Sequence, residues 1–451
     1  MTLFVILTEW FEGIDRLLDH SMSDAFHDAA SRHPPPKCYE NSRQELRKRI
    51  TDWGTCRSND ILKLLLWMHG PFGVGKSAIA QSCAEALEDE GKLCASIFFS
   101  RPNKRDDPNR VFTSIAYQLA TKFSSIADTL DRQILNDPAI LNAARPVQFE
   151  KLIVKPLRQV TPQSLPFEEL VVILDGLDEL DSANAQAEII DIVATSIRER
   201  TTPFRWFILS RPEPHIRRAM NSNDVSSLLY TLDLPLYSSN DREILTFFKE
   251  KLKNIGKYHK LSDTWCSEAE VDTVVKLADG LWIYINTVVR FIDDRNSMGP
   301  RQQLNLVLGL AKTSRANLPK NPLAAMDVFY DLIMRQIPSD VILKVREILL
   351  LDTISTNRPT SFERGKSTTN LRQPIYIYCL ELSYEDLDSC CGHLLSVLKS
   401  SDGIPGQISY YHASFMEYMR DPARSKDFCV FGDVVQEVYQ EIFKNSTVYV
   451  H

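Results

Sequence analysis

Residues 70–77 read Gly-Pro-Phe-Gly-Val-Gly-Lys-Ser and lie between the apolar run ILKLLLWMH (61–69) and the amphipathic stretch SAIAQSCAEALEDE. The spacing is G-x-x-x-x-G-K-[ST], and a strand before it with a helix after it is the context in which such a loop wraps a phosphate chain. Glycines at 70, 73 and 75 let successive backbone N–H groups converge where side chains would block the approach. Lys76 brings a point charge to the β- and γ-phosphates. Ser77 offers a hydroxyl to Mg²⁺, and Ala78 stands in the first turn of a helix whose positive end adds to the anion field. A loop of this kind has to be carried by a buried strand, so it commits the chain to an α/β core.

The following sequence agrees with that commitment. CASIFFS (94–100), LVVILD (170–175), RWFILS (205–210) and LLYTLDL (228–234) are short, bounded and apolar on both faces, as buried parallel strands are. Helical periods separate them: Val111, Ile115, Leu119 and Phe123 recur every four residues, as do Ile189, Val193 and Ile197. The expectation is a P-loop domain over 60–235, a parallel sheet flanked by helices. Residues 1–59 precede it as an N-terminal helical segment or linker, with FEGIDRLLDHSMSDAFHDAA weakly helical, HPPPK a break and SRQELRKRITDW a second helix. From about 240 the pattern turns helical: a helical domain over 240–300, where Ser267 and Glu270 form a capping box, then a winged-helix-like α+β domain over 301–425 and a tail, 426–451. No internal repeat of 20–50 residues is visible.

Two further segments bear on chemistry. In ELVVILDGLDEL four apolar residues deliver Asp175, the Walker B arrangement, in which a buried strand places a carboxylate beside Mg²⁺. Asp178 and Glu179 follow, with Glu179 expected to polarise the attacking water and Asp178 to assist. The alternative is that both cap the next segment. WFILSRPEPHI ends an apolar strand at Arg211, where Pro212 stops any helix. A guanidinium at the carboxyl edge of a parallel sheet faces the ligand crevice and suits a γ-phosphate sensor, the alternative being a structural ion pair. Asn103-Lys104-Arg105-Asp106 imitates the guanine-reading N-K-x-D but precedes the Walker B strand, the wrong order. His69 reads as a strand-end histidine.

Composition excludes several classes. A net charge of −7 gives no broad basic footprint for nucleic acid. Nine irregularly spaced cysteines without a C-x-x-C pair point to a reduced, cytoplasmic chain. No apolar run reaches the roughly 18 residues that span a bilayer. The start, MTLFVIL, lacks the basic region of a signal peptide.

With GPFGVGKS, VVILDGLDEL and FILSRPEPHI in that order, the chain resembles a NACHT domain of the STAND class of P-loop NTPases, in particular the large fungal NACHT proteins that often carry WD repeats. HPPPKCYENSRQELRKRITDW, DDPNRVFTSIAYQLA, ADGLWIYINTVVRFI and YHASFMEYMRDPARS extend the resemblance over roughly residues 25–425. It implies a nucleotide-binding, a helical and a winged-helix domain closed over ADP, which open and self-associate when ATP replaces it, in signalling of an innate-immunity or self/non-self kind. Lys76, Ser77, Asp175, Glu179 and Arg211 then take the roles above, ATP or ADP with Mg²⁺ being the ligand and GTP left open. His412 matches the winged-helix histidine that touches the ADP β-phosphate in animal relatives; by itself it reads equally as a packed residue at a strand-to-helix junction. Gly280-Leu281-Trp282 departs from the family's G-x-P, and RPTSFERGKSTTNLRQP (358–374) is unlike a compact winged helix. The expected function is a slow nucleotide-dependent switch. A non-hydrolysing scaffold is the alternative, and a kinase lacks an acceptor pocket with its own base.

Overall fold

The structure is a computed structural model and describes residues 12–40, 42–57, 63–159, 170–234, 241–314, 322–354, 374–400 and 407–448. The described residues divide into two compact units, one up to residue 234 and one from residue 241.

The first unit is built on a parallel sheet of five strands in the order β2-β3-β4-β1-β5. These are β1 (Leu65–His69), β2 (Leu93–Phe98), β3 (Leu170–Asp175), β4 (Phe204–Ser210) and β5 (Leu229–Asp233). In β1, β3 and β4 successive side chains alternate between two buried faces. Trp67, Val172, Leu174, Trp206 and Ile208 share one core with α4 (Val111–Lys122) and the helix Ala183–Glu199. On the opposite face the Trp53 ring, from α2 (Gln44–Gly54), lies edge-on to Phe207 of β4 at 6.4 Å. Burial on both sides explains why these strands read as unbroken apolar runs. β5 differs from its reading: it is an edge strand, and only Leu229 and Leu232 are buried while Asp233 is exposed.

Helices form where the four-residue periods place them. Val111, Ile115 and Leu119 of α4 are fully buried, as are Ile189 and Val193 of the helix Ala183–Glu199. That second helix opens with the Ser182 hydroxyl accepting from the Ala185 N–H.

The stretch ahead of the sheet is part of the same unit. α1 (Glu12–Asp19) is followed by two single turns, Ser23–Ala25 and Ala30–Arg32, in place of a continuous helix. Leu17, Met22 and Ala25 join the core, and Asp131 of α5 (Ser124–Asn136) receives the Gly13 N–H at 2.8 Å and the Ile14 N–H at 3.2 Å.

The second unit is mostly helical. The capping box at Ser267 and Glu270 forms and opens the helix Glu268–Ala278. Leu281 N-caps Trp282–Ile292, and the Trp282 ring sits edge-on to Phe247 at 5.6 Å. Tyr284, Phe329, Tyr330, Phe415 and Tyr418 fill the core. β6 (Leu398–Ser400) and β7 (Ile408–Tyr410) pair antiparallel and lead into the helix Ala413–Arg420. The last helix, Asp433–Val448, is tied to Ile342–Ile354 by Arg346, which bonds Asp433 and the Cys429 carbonyl. The polar stretch at 358–374 falls outside the described residues except for Pro374. Among the described residues no helix is long and apolar enough to cross a membrane.

Candidate functional site

Strand order builds the site. β4 lies between β1 and β3, and the register pairs His69 with Ser210, Leu209 with Asp175, and Asp175 with Phe98. The carboxyl edge therefore presents the phosphate loop, then Arg211, then the acidic cluster, side by side. This is where an open α/β sheet takes its ligands.

The loop itself is a turn that few residues can make. Gly73 and Gly75 have φ of 73° and 96°, a region open to glycine and costly for L side chains. Gly70 is required for another reason. A Cβ there would stand 2.3 Å from the Leu234 carbonyl oxygen, inside any possible contact.

α3 (Lys76–Asp89) begins at the loop. Lys76 folds back so that Nζ donates to the carbonyls of Gly70 (2.8 Å) and Pro71 (2.9 Å). Burial pulls its ammonium down to about 8, opposed by the charges of Asp178 and Asp175. Ser77 and Ala78 follow in the first turn. Asp175 is 3% exposed, and burial lifts its carboxyl to about 6, opposed by a hydrogen bond from Ser77 and by the charges of Lys76 and Arg32. Its Oδ1 is buried without a hydrogen-bond partner. An orphaned carboxylate oxygen beside a hydroxyl is the hard-oxygen set that Mg²⁺ takes together with waters and phosphate, so Ser77 and Asp175 fit that ion.

Gly176, with φ of 78°, turns the chain out of β3 into the single helical turn Leu177–Glu179. The two acids then separate. Asp178 Oδ1 accepts the Arg211 backbone N–H at 2.9 Å, and Oδ2 lies 3.3 Å from Arg211 Nε. The Arg211 guanidinium also lies over the Phe72 ring of the loop, 5.3 Å from its centroid. Glu179 Oε2 accepts the Arg101 N–H at 3.2 Å, and the Arg101 guanidinium bonds the carbonyls of Asp178 and Leu180. Lys76, Ser77, Asp175, Asp178, Glu179 and Arg211 are thus at one edge, and Arg211 is both ion-paired and turned to the loop.

Other residues take local partners. His412 belongs to the second unit, where its Nδ1 accepts the Ser414 N–H at 3.2 Å and caps the helix Ala413–Arg420. His69 ends β1, with Nδ1 3.4 Å from Asp233 and its ring 4.2 Å from that of Trp67. The N-K-x-D look-alike forms a tight turn bridged by Ser100 and Arg105, whose guanidinium bonds the Asp24 carbonyl at 3.2 Å. Sequence reasoning missed Arg32 and Arg101. Neither belongs to a spaced motif; each meets the site through chain that is remote in sequence.

A family model described as nephrocystin 3, N-terminal, matches residues 46–211, which contain the phosphate loop, the Asp175 strand and Arg211. A search of curated proteins found no match. Among solved structures, the chain is similar to the Aeropyrum pernix Orc1 protein in complex with DNA, at 16% identity and a TM-score of 0.35, covering 90% of this chain and 95% of that one. It is also similar to a DNA replication initiation factor (10% identity, TM-score 0.31, 92% and 98% covered). A third is Drosophila ORC bound to poly(dA/dT) DNA and Cdc6 (13%, 0.29, 99% and 70%). Likeness at this level bears on neither ligand nor partner. The sheet order, the loop and the acidic cluster define a P-loop NTPase fold, and with it a nucleotide-binding site.

Proposed function

We propose that the chain is a nucleotide-dependent switch of the NACHT/STAND kind, which binds ATP or ADP, hydrolyses ATP slowly and self-associates in the ATP state. The observation that carries this reading is the convergence of Lys76, Asp175, Asp178 and Arg211 at one sheet edge, with Lys76 resting on loop carbonyls that a phosphate chain would replace. Mg²⁺, held by Ser77 and Asp175, would supply charge neutralisation of the phosphate oxygens. Lys76 would move from the Gly70 and Pro71 carbonyls to the β- and γ-phosphates. Arg211, which lies between Asp178 and Phe72, would answer to the γ-phosphate, and Glu179 would orient a water. A tenfold preference of each state for its nucleotide corresponds to about 1.4 kcal/mol, enough to bias a nearly balanced equilibrium. GTP remains an open substitute, and the cytoplasm the expected compartment.

One observation favours a second reading. The Glu179 carboxylate is engaged by the Arg101 N–H, which suits a scaffold that keeps its nucleotide without hydrolysing it. A single variant separates the two. Under the switch reading, Glu179→Gln retains ATP through purification and shifts the chain to larger assemblies, read by mass spectrometry of released nucleotide and by light scattering. Normal hydrolysis in that variant removes Glu179 as the base. Assembly that is unchanged by ATP, by ADP and by Lys76→Ala leaves only the scaffold.

A further inference from the structure

Arg32 lies outside every motif, yet its buried guanidinium bonds Gln81 of α3, the helix that begins at the phosphate loop. It ends the second of the two short turns ahead of the sheet and is 5% exposed. Its Nη1 donates to the carbonyls of Phe26 (3.1 Å) and His27 (2.9 Å) and to Gln81 Oε1 (2.8 Å). Its guanidinium carbon sits 3.6 Å from the centroid of the Phe98 ring. Gln81 in turn donates to the His27 carbonyl at 3.0 Å and to Glu85 Oε1 at 2.8 Å.

Each partner leads to the site by a short path. Gln81 is on α3, the helix whose first turn holds Lys76 and Ser77. Phe98 is the last residue of β2 and the register partner of Asp175. The Arg32 charge also acts on Asp175 without taking its Oδ1, which stays unpartnered. One planar group therefore clamps the helix that carries the hydroxyl to the strand end that flanks the carboxylate. Burying a guanidinium is costly unless it is bonded and paired, so the clamp is not a neutral filler.

We infer that Arg32 is a positioning residue for the metal side of the nucleotide site: by fixing α3 against the end of β2, whose Phe98 is the register partner of Asp175, it sets the separation of Ser77 from Asp175 that Mg²⁺ with nucleotide needs. The inference rests on the reading of this edge as a nucleotide site. Groups that orient metal ligands without touching the ion commonly control about 10–100-fold in metal affinity.

The test uses the full chain and a fluorescent ATP analogue, titrated with Mg²⁺ and separately with EDTA. Arg32→Met keeps the volume and removes the fork; it should weaken binding about tenfold or more in Mg²⁺ and less than about threefold in EDTA. Arg32→Lys, which restores charge and one bond, should recover part of the loss. Gln81→Met removes the α3 end of the clamp and should shift the same ratio in the same direction, which covers the case that Arg32→Met fails to fold. Equal losses with and without Mg²⁺, or none, overturn the inference while leaving the nucleotide site intact. Wild-type protein that binds no analogue overturns both.

Discussion

Asp175 and Asp178 show how neighbouring carboxylates in one turn are given different work. Asp175 keeps an unpartnered oxygen in a buried setting, whereas Asp178 is committed to the Arg211 backbone and side chain. A histidine in the same unit gives a pH test. His27 bonds Ser96 Oγ through Nδ1, and burial lowers its pKa below the ordinary 6.5; Asp28 and Glu88 oppose the shift, while Lys122 and Arg32 add to it. The folded chain thus takes up this proton at lower pH than the unfolded chain, so stability is lost as pH falls from about 6.5 toward the folded value. His69, lowered by burial, contributes with the same sign, and Asp175, raised to about 6, with the opposite one, so the difference between wild type and a variant isolates the effect. The expected outcome is that His27→Gln flattens the drop in melting temperature between pH 7 and pH 5. An identical pH profile in the variant would count against it.

At the scale of elements, the loop, the sheet edge and the strand β5 constrain one another. Leu234 follows β5, donates its N–H to the His69 carbonyl at 2.7 Å, and puts its own carbonyl where a side chain on residue 70 would go. Gly70→Ala should therefore push β5 from β1 or twist the loop, at about 1–3 kcal/mol, the usual cost of overpacking a tight site. Thermal unfolding without nucleotide reads this directly, and nucleotide affinity should fall with it. A wild-type melting temperature would show that the edge strand yields freely. Much at this scale was legible beforehand: β3 runs from Leu170 to Asp175 as its apolar run reads, and the Ser267–Glu270 cap is signalled by two residues at fixed spacing. The edge position of β5 was less so. LLYTLDL is apolar enough to pass for a buried strand, and only the sheet order reveals its open side. α1 ends at Asp19, and Leu17, Met22 and Ala25 join the core of the sheet, a contact that local periodicity does not encode.

For the molecule as a whole, the charge balance makes a claim about partners. With −7 overall there is little cation surplus to release counterions from a phosphate backbone. Labelled duplex DNA at micromolar protein and near-physiological salt should show no polarisation change; salt-sensitive binding would place a local basic face above the net charge. The sequence by itself determined the α/β core, the loop, the aspartate that ends β3 and the arginine that follows β4. Each is a local pattern, because strand burial, glycine φ and residue spacing are properties of a few adjacent residues. Only the tertiary structure decided that β4 comes between β1 and β3, that Asp178 pairs with Arg211, and that Arg32 reaches α3 and β2 from ahead of the sheet. Those are pairings between distant stretches of chain, fixed by how apolar faces close over one another and by where a buried charge finds its bonds.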